Sequence, residues 1–538
     1  MNSLSIKSLA IIFGMTILLS VPLIINPSLH TRRDAVVHVA ITNKILRSGI
    51  PPQNPFMAGE KLYYYWFYNA LAAALTGISG IPPAMIMAAL NVLAFFILLI
   101  SVLGSVRSAL PEGTNDTSPL LGILLVVFGL NGWGWFRLLG PSVKYGPNIL
   151  TGILAGRVWK FLPLISPGGR GAGKLGFMAS KFLVATSFSL ALAAIGVSIY
   201  FLFKFFQKKK LLPAVLFCLS AALASYLHLV VGMMFIILCG VFGLTWLLLY
   251  RRGKRHGLKI AVSLLLLILV SLLLVAPYLT TVLGSRPTIK QGPVFSLPDS
   301  LYLKTYLFTL LPYLVILLLT FRSTIGRALI PSNMFLLLSV LLLAPAFLFL
   351  RIPGYNEFKF IFLSAVIMSL WGGISASYCR RWQRLIIWII ALSAAPTTLL
   401  GLAAYSFTPP SRAESRSPQQ NAIFCWIAEH TPAETVVVDT RLADFIPMLA
   451  RRDTYFGQKR FLMRRVGIYR PQAYQHRLSL MMDLLSGKDK TEILKMIRSE
   501  VQRPVILITH TGAMIENDGI KKLHSAGKID IWALSNQY

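Results

Sequence analysis

Two acids and two histidines lie in one polar stretch of a largely apolar chain, and their types fit proton transfer. Residues 30–69 read HTRRDAVVHVAITNKILRSGIPPQNPFMAGEKLYYYWFYN. Asp34 precedes His38 by one helical turn, so the spacing predicts both side chains on one helix face. A carboxylate beside an imidazole can take a proton from an alcohol or bind a cation. Asp34 would equally suit an ordinary helix start, where the dipole favours an acid. Glu60, between Gly59 and Lys61, is the alternative base in the same stretch. The aromatic block after it makes Tyr64 and Tyr65 candidate substrate contacts.

A second constellation, RIPGYNEFK at 351–359, suits an anion. Arg351 and Lys359 can hold a leaving phosphate as charge builds on it, with Glu357 orienting one of them or touching the substrate. An interfacial salt bridge capping two helices explains the same residues. A third basic region, 140–181, carries Lys144, Arg157, Lys160, Arg170, Lys174 and Lys181 without one acid. Within it, GGRGAGK at 168–174 imitates a nucleotide P-loop, but Leu175 stands where a magnesium-binding hydroxyl is needed. Arg170, Lys174 and Lys181 are therefore candidates for donor-phosphate binding through backbone N–H groups and cations. His228, between two apolar runs, is either a packed helix-break residue or a substrate contact. Trp133 and Trp135 read as interface anchors.

These residues must be held by helices that are almost wholly apolar. The 538-residue chain is 55% hydrophobic, with mean hydropathy +0.67, which predicts a polytopic α-helical membrane protein. Apolar runs fall near 8–26, 84–105, 119–139, 182–206, 211–227, 229–250, 258–283, 303–321, 330–350, 359–378 and 383–405. That is eleven, and at most thirteen with the weaker stretches. The first follows Lys7 without a small-x-small cleavage pattern and reads as a retained anchor. A further stretch, 62–78, conflicts with the charge pattern if it crosses, so it is expected to lie along the outer interface. Loops at 207–210, 251–259, 322–327 and 380–384 are rich in Lys and Arg and belong inside. This orientation places loops 27–80 and 140–181, and everything after residue 405, outside an inner (plasma) membrane.

Fifty-two Lys and Arg face 19 Asp and Glu, a formal charge of +33. Such a balance points to anionic partners: membrane lipid headgroups or phosphorylated substrates. Nucleic acid is excluded as a partner because the charge is spread among membrane loops and no basic soluble module stands apart. Cys218, Cys239, Cys379 and Cys425 form no disulfide framework. Only six of the acids precede residue 406: Asp34, Glu60, Glu112, Asp116, Asp299 and Glu357. None is mid-span, which counts against an ion-coupled transporter. After a linker at 406–420, residues 421–538 alternate helix-like stretches (421–430, 442–450, 473–485, 490–501) with strand-like ones (435–439, 504–509, 529–532). That pattern predicts a small extracytoplasmic α/β domain.

The layout of a first helix, an outer loop with an early acid, and then GIPPQNPFMAGEKLYYY resembles the GT-C superfamily of membrane glycosyltransferases. Protein O-mannosyltransferases and lipid A aminoarabinose transferases belong to it, and the tyrosine triplet at 63–65 is similar to that of a prokaryotic branch named for it. The resemblance implies a GT-C-like transmembrane domain over 1–405. It also implies transfer of a sugar, hexosyltransferase-type, from a polyprenyl-phosphate-linked donor to a glycan, lipid or protein acceptor at the outer face. Its general base is carried onto Asp34. Members that use a metal often hold further acids in that loop. None stands beside Asp34 here, so no cofactor is fixed and magnesium or manganese stays open. A lipid or polysaccharide flippase, or a non-catalytic subunit of a glycan assembly system, would use the same basic surface without chemistry.

The orientation is directly testable. A reporter active only outside the cytoplasm should be active when fused after Gln420 and silent after Arg252. Activity at Arg252 would overturn the topology.

Overall fold

The structure is a computed structural model. It describes residues 6–31, 34–111, 117–138, 176–250, 255–283, 294–298, 300–327, 330–352, 356–407, 416–439, 441–457, 471–486, 490–510 and 519–534. The basic loop residues Arg170 and Lys174 and the acids Glu112, Asp116 and Asp299 lie outside this set.

In chain order the helices are α1 (Ile6–Ile25), α2 (Asp34–Ser48), α3 (Phe67–Ser79), α4 (Pro83–Ala109), α5 (Thr117–Leu124), α6 (Ser187–Lys208), α7 (Leu211–Leu227), α8 (Leu229–Tyr250) and α9 (Arg255–Leu283). They continue with α10 (Ser300–Ile325), α11 (Pro331–Phe349), α12 (Phe358–Tyr378), α13 (Arg381–Ser393), α14 (Ala395–Phe407), α15 (Pro418–His430), α16 (Ile446–Leu449), α17 (Pro471–Leu485) and α18 (Lys490–Val501). The strands are β1 (Val294–Phe295), β2 (Leu350–Arg351), β3 (Val436–Val438), β4 (Asp453–Thr454), β5 (Val505–Thr509), β6 (Ile520–Ala526) and β7 (Ile529–Leu534). The chain divides into two compact units. One holds Met1–Leu29, Ala88–Tyr278 and Gln291–Pro409; the other holds His30–Met87, Leu279–Lys290 and Pro410–Tyr538.

The first unit is a multi-pass membrane bundle. Among the described residues, nine helices are long and apolar enough to cross a membrane, and Thr117–Gly129 and Leu211–Leu227 are shorter apolar helices. Each of the eleven apolar runs thus has a helix. The run at 119–139 stops early for a local reason. After α5 the chain widens into a π-turn at Leu125–Gly129, and Asn131 adopts φ 54°. Its backbone N–H donates to Thr309 O at 2.7 Å and its side chain to Gly176 O at 2.9 Å. The Asn131 N–H is thereby spent outside the helix and cannot continue its ladder of N–H to C=O bonds, and elongation ends. At the centre stands α12, 94% of whose membrane window is buried. Its Gly372 and Gly373 let α4, α5 and the π-turn approach where a Cβ would crowd Val106, Ser118 O and Leu125. At one edge α1 meets α14, where Asn26 Nδ2 donates to Tyr405 O at 2.7 Å.

The second unit is built from both ends of the sequence. Its five-stranded sheet runs in the order β4-β3-β5-β7-β6. β4 and β5 lie parallel to β3, while β7 is antiparallel to β5 and β6 antiparallel to β7. Val436, Val438, Val505 and Leu507 pack with α17 and α18, and Met57 and Ala58 of the early loop enter the same core. The early loop also covers the β4 edge. Thr454 N–H donates to Pro55 O, Ala58 N–H to Thr454 O and Gly457 N–H to Phe56 O, each at 2.9 Å. Gln53 pairs with Lys61, Asn54 N–H donates to Glu60 O at 2.8 Å, and Gly59 takes the left-handed φ of 84° that a tight return needs. The PPQNPFMAGE motif is therefore a hairpin that blunts an otherwise exposed sheet edge. The expected interfacial stretch at 62–78 becomes α3, which is 13 residues long, or about 20 Å at 1.5 Å per residue, too short to span a bilayer core of about 30 Å. It packs on α2 through Val37, Ala40, Ile41, Tyr64 and Ala73.

One buried carboxylate fastens α2 to the sheet. Asp453 accepts from Lys44 Nζ at 2.6 Å, Arg47 at 2.9 Å and Arg503 at 2.8 Å, and its side chain is wholly buried. Asn43 Nδ2 adds bonds to Pro447 O and Met448 O, and Arg477 Nη2 reaches Ala58 O at 2.8 Å. Burial pushes the Asp453 carboxyl up, but the charges of Lys44, Arg47 and Arg503 outweigh it and hold the group below the usual carboxylate range. Lys44 is pulled down by burial more than Asp453 raises it.

Asp453→Asn would leave three cations around a neutral group and should destabilise the second unit by about 3–5 kcal/mol, read by chemical unfolding. Because Asp453 is depressed in the folded state, its contribution is present above the unfolded carboxylate value of about 3.9 and is lost as pH falls below it. The variant should therefore lose that acid limb. A wild-type midpoint and pH profile in Asp453→Asn would contradict this account.

Candidate active site

Titratable chemistry gathers in one cluster of each unit. In the second unit, Asp34 opens α2, where the N-terminal dipole stabilises a carboxylate, and it is exposed. His38, one turn on, is buried. Its Nδ1 bonds Asn69 Oδ1 at 2.9 Å, and its ring lies edge-on to Tyr68 at 5.2 Å and tilted to Tyr64 at 6.0 Å. The acid is exposed at the helix start, while the imidazole one turn on is buried and packed towards α3. Tyr64 is buried in the α2–α3 core and stacks on half-buried Tyr65 at 4.1 Å. Glu60 is half-buried at the turn of the 53–61 hairpin.

In the first unit, Lys359 is the second residue of α12, and its side chain is buried beside Asn356 and His228. It donates to Asn356 Oδ1 at 2.7 Å and makes a hydrogen bond with His228 Nε2. His228 is buried at the break between α7 and α8 in extended backbone, φ −149°, ψ 95°. Lys181 ends a 3₁₀ turn at Met178–Lys181 and lies 4.8 Å from the Phe358 ring and 5.3 Å from Phe362. Lys359 is 5.7 Å from that same Phe358 ring. Two ammonium groups and an imidazole thus gather around one helix N-terminus, an arrangement suited to an anion.

Arg351 and Glu357 do a different job. The Arg351 guanidinium caps α11 by donating to Leu348 O at 2.8 Å and Phe347 O at 3.3 Å and lies 3.8 Å over the Tyr302 ring. Buried Glu357 accepts from Tyr302 OH at 3.1 Å and from Ile352 N–H at 3.2 Å. Both side chains hold the β2 corner, between antiparallel β1–β2 and α12.

The sequence matches no protein-family model and no curated protein. Solved structures do match. ArnT from Cupriavidus metallidurans bound to undecaprenyl phosphate superposes with a TM-score of 0.58 at 10% identity, over 97% of this chain and 98% of that one. The mycobacterial arabinofuranosyltransferase AftD gives 0.59 at 12% identity over 99% of this chain, which spans 40% of AftD. The Archaeoglobus fulgidus oligosaccharyltransferase in complex with Zn and sulfate gives 0.50 at 10% identity, over 88% of this chain and 63% of that one. All three are GT-C glycosyltransferases. The chain has the GT-C fold.

Within this GT-C fold the sequence-level candidates sort by environment. Lys359, Lys181 and His228 come together in the first unit; Asp34 is the accessible acid of the second. Asn356 and Asn69 were not anticipated. Asn356 had a readable signal, three residues before Lys359 and so within reach across a helix start, whereas Asn69 becomes a partner of His38 only through the packing of α3 on α2. Among the described residues no three His, Cys, Asp or Glu side chains converge on a metal-binding geometry.

Arg351→Ala should cost roughly 1–2 kcal/mol of stability through lost carbonyl bonds, read as a lower Tm in detergent, and should spare phosphate binding. Loss of phosphate binding at an unchanged Tm would return Arg351 to the anion site.

Proposed function

We propose that the chain is a membrane glycosyltransferase that moves a sugar from a polyprenyl-phosphate-linked donor to an acceptor hydroxyl at the outer face of the plasma membrane. The carrying observation is the cluster of Lys359, His228 and Lys181 at the start of α12, in a fold shared with a protein solved with undecaprenyl phosphate. Lipid-linked phosphate is the anion such a cluster fits in a bundle of apolar helices. Asp34 accepts the proton of the acceptor hydroxyl, and the hydroxyl oxygen attacks the anomeric carbon with inversion. The carbon–oxygen bond to phosphate breaks with its electron pair leaving on the phosphate. Lys359 and Lys181 stabilise that charge as it grows, which lowers the barrier because the contact is strongest in the transition state. His228 holds the Lys359 ammonium in place.

Asp34→Asn keeps size and hydrogen bonding but cannot take a proton, so sugar transfer in membranes should fall by about 10²–10⁴-fold. Lys359→Ala should fall on the order of a hundredfold. Glu60→Gln, assayed alongside, separates the alternatives: if it is dead while Asp34→Asn is active, the base is Glu60. If both are active, the catalytic reading fails in favour of a flippase or a non-catalytic assembly subunit.

A further inference from the structure

The second unit carries an acid–imidazole pair that the proposed reaction does not use. β3 and β5 are adjacent and parallel, Asp439 is the first residue past β3, and His510 the first past β5. From β3 the chain turns through α16 to β4 on one flank, and from β5 it continues to β6 and β7 on the other. In open α/β sheets, ligands bind outside the carboxyl ends of parallel strands whose connections diverge in this way.

The pair is half-satisfied in a specific way. Asp439 is buried. Its Oδ1 accepts from Arg441 N–H at 2.6 Å and is 3.0 Å from His510 Nε2. Its Oδ2 is buried without a hydrogen-bond partner. The two other buried acids of the sheet differ: Asp453 takes three cations, and Asp530 takes Lys522 at 3.0 Å and Ser525 at 2.7 Å. In the neutral tautomer that directs Nε2–H at the carboxylate, the His510 lone pair is on Nδ1. The pair therefore offers one carboxylate oxygen and one imidazole nitrogen, both acceptors.

We infer that Asp439 and His510 form a saccharide-binding subsite, with Asp439 Oδ2 and His510 Nδ1 accepting hydrogen bonds from neighbouring hydroxyls of the acceptor glycan. Two adjacent acceptors match a pair of sugar hydroxyls, whereas a divalent ion needs four or more ligands. The identification of the ligand as a glycan rests on the glycosyltransferase reading; the geometry of the pair does not.

The test uses the full chain in detergent. The probe is the water-soluble glycan released from envelopes of cells lacking this chain, which accumulate the unmodified acceptor. Calorimetric titration should show binding, weakened tenfold or more by Asp439→Asn and by His510→Gln. The Tm of each variant is measured alongside, because Asp439→Asn keeps the Oδ1 acceptor but removes the charge that faces His510. If it fails to fold, His510→Gln carries the test. Equal binding by wild type and variants, or no binding by wild type, overturns the subsite. So does manganese binding that Asp439→Asn abolishes, which would make the pair part of a metal site. Sugar transfer by these variants is read separately: if transfer persists with unchanged acceptor KM, the subsite fails while the glycosyltransferase reading stands.

Discussion

A single buried carboxylate decides how the second unit is assembled. Asp453 on β4 is surrounded by Lys44 and Arg47 of α2 and by Arg503 before β5, so an N-terminal helix becomes part of a C-terminal sheet. Three buried or half-buried cations without that acid would each lose hydration with nothing in return, which makes the contact all-or-none. The consequence reaches Asp34. It stands at the other end of the same helix, so the presentation of the proposed base depends on a contact more than 400 residues away in sequence. The hairpin at 53–61 reinforces this by closing the β4 edge and lending Met57 and Ala58 to the core.

Much of the fold was legible because burial in lipid demands long apolar runs with satisfied backbones. Every predicted run has its helix. The places where prediction fell short have local causes: Asn131 ends the third run through bonds to Thr309 and Gly176, which no periodicity encodes. In the C-terminal region, α18 matched residue for residue, and β5 and β7 began within a residue of their expected starts. β4 was missed because it is two residues long and charged, and β6 because IKKLHSA is a polar edge strand. The early loop and the tail were read as separate blocks, since only long-range pairing joins them.

The candidate site was partly legible for a similar reason. Lys359, Lys181 and His228 are rare ionisable groups in apolar surroundings, and rarity marks them. What spacing could not give was burial. Asp34 and His38 are one turn apart on α2, yet Asp34 is exposed at the helix start and His38 is buried against Asn69 and Tyr68. Arg351, chosen for its charge, turns its Nη1 to the carbonyls that end α11. A cation at a helix end is as readily a cap as a ligand grip, and only the hydrogen bonds tell them apart.

The central claim is that the Lys359 cluster holds the phosphate of a polyprenyl carrier. An experimental structure of the purified chain with undecaprenyl phosphate tests it most directly. The account predicts phosphate density within hydrogen-bond reach of Lys359, lost in Lys359→Ala. Well-ordered lipid phosphate bound elsewhere in the chain, out of reach of Lys359, would contradict it.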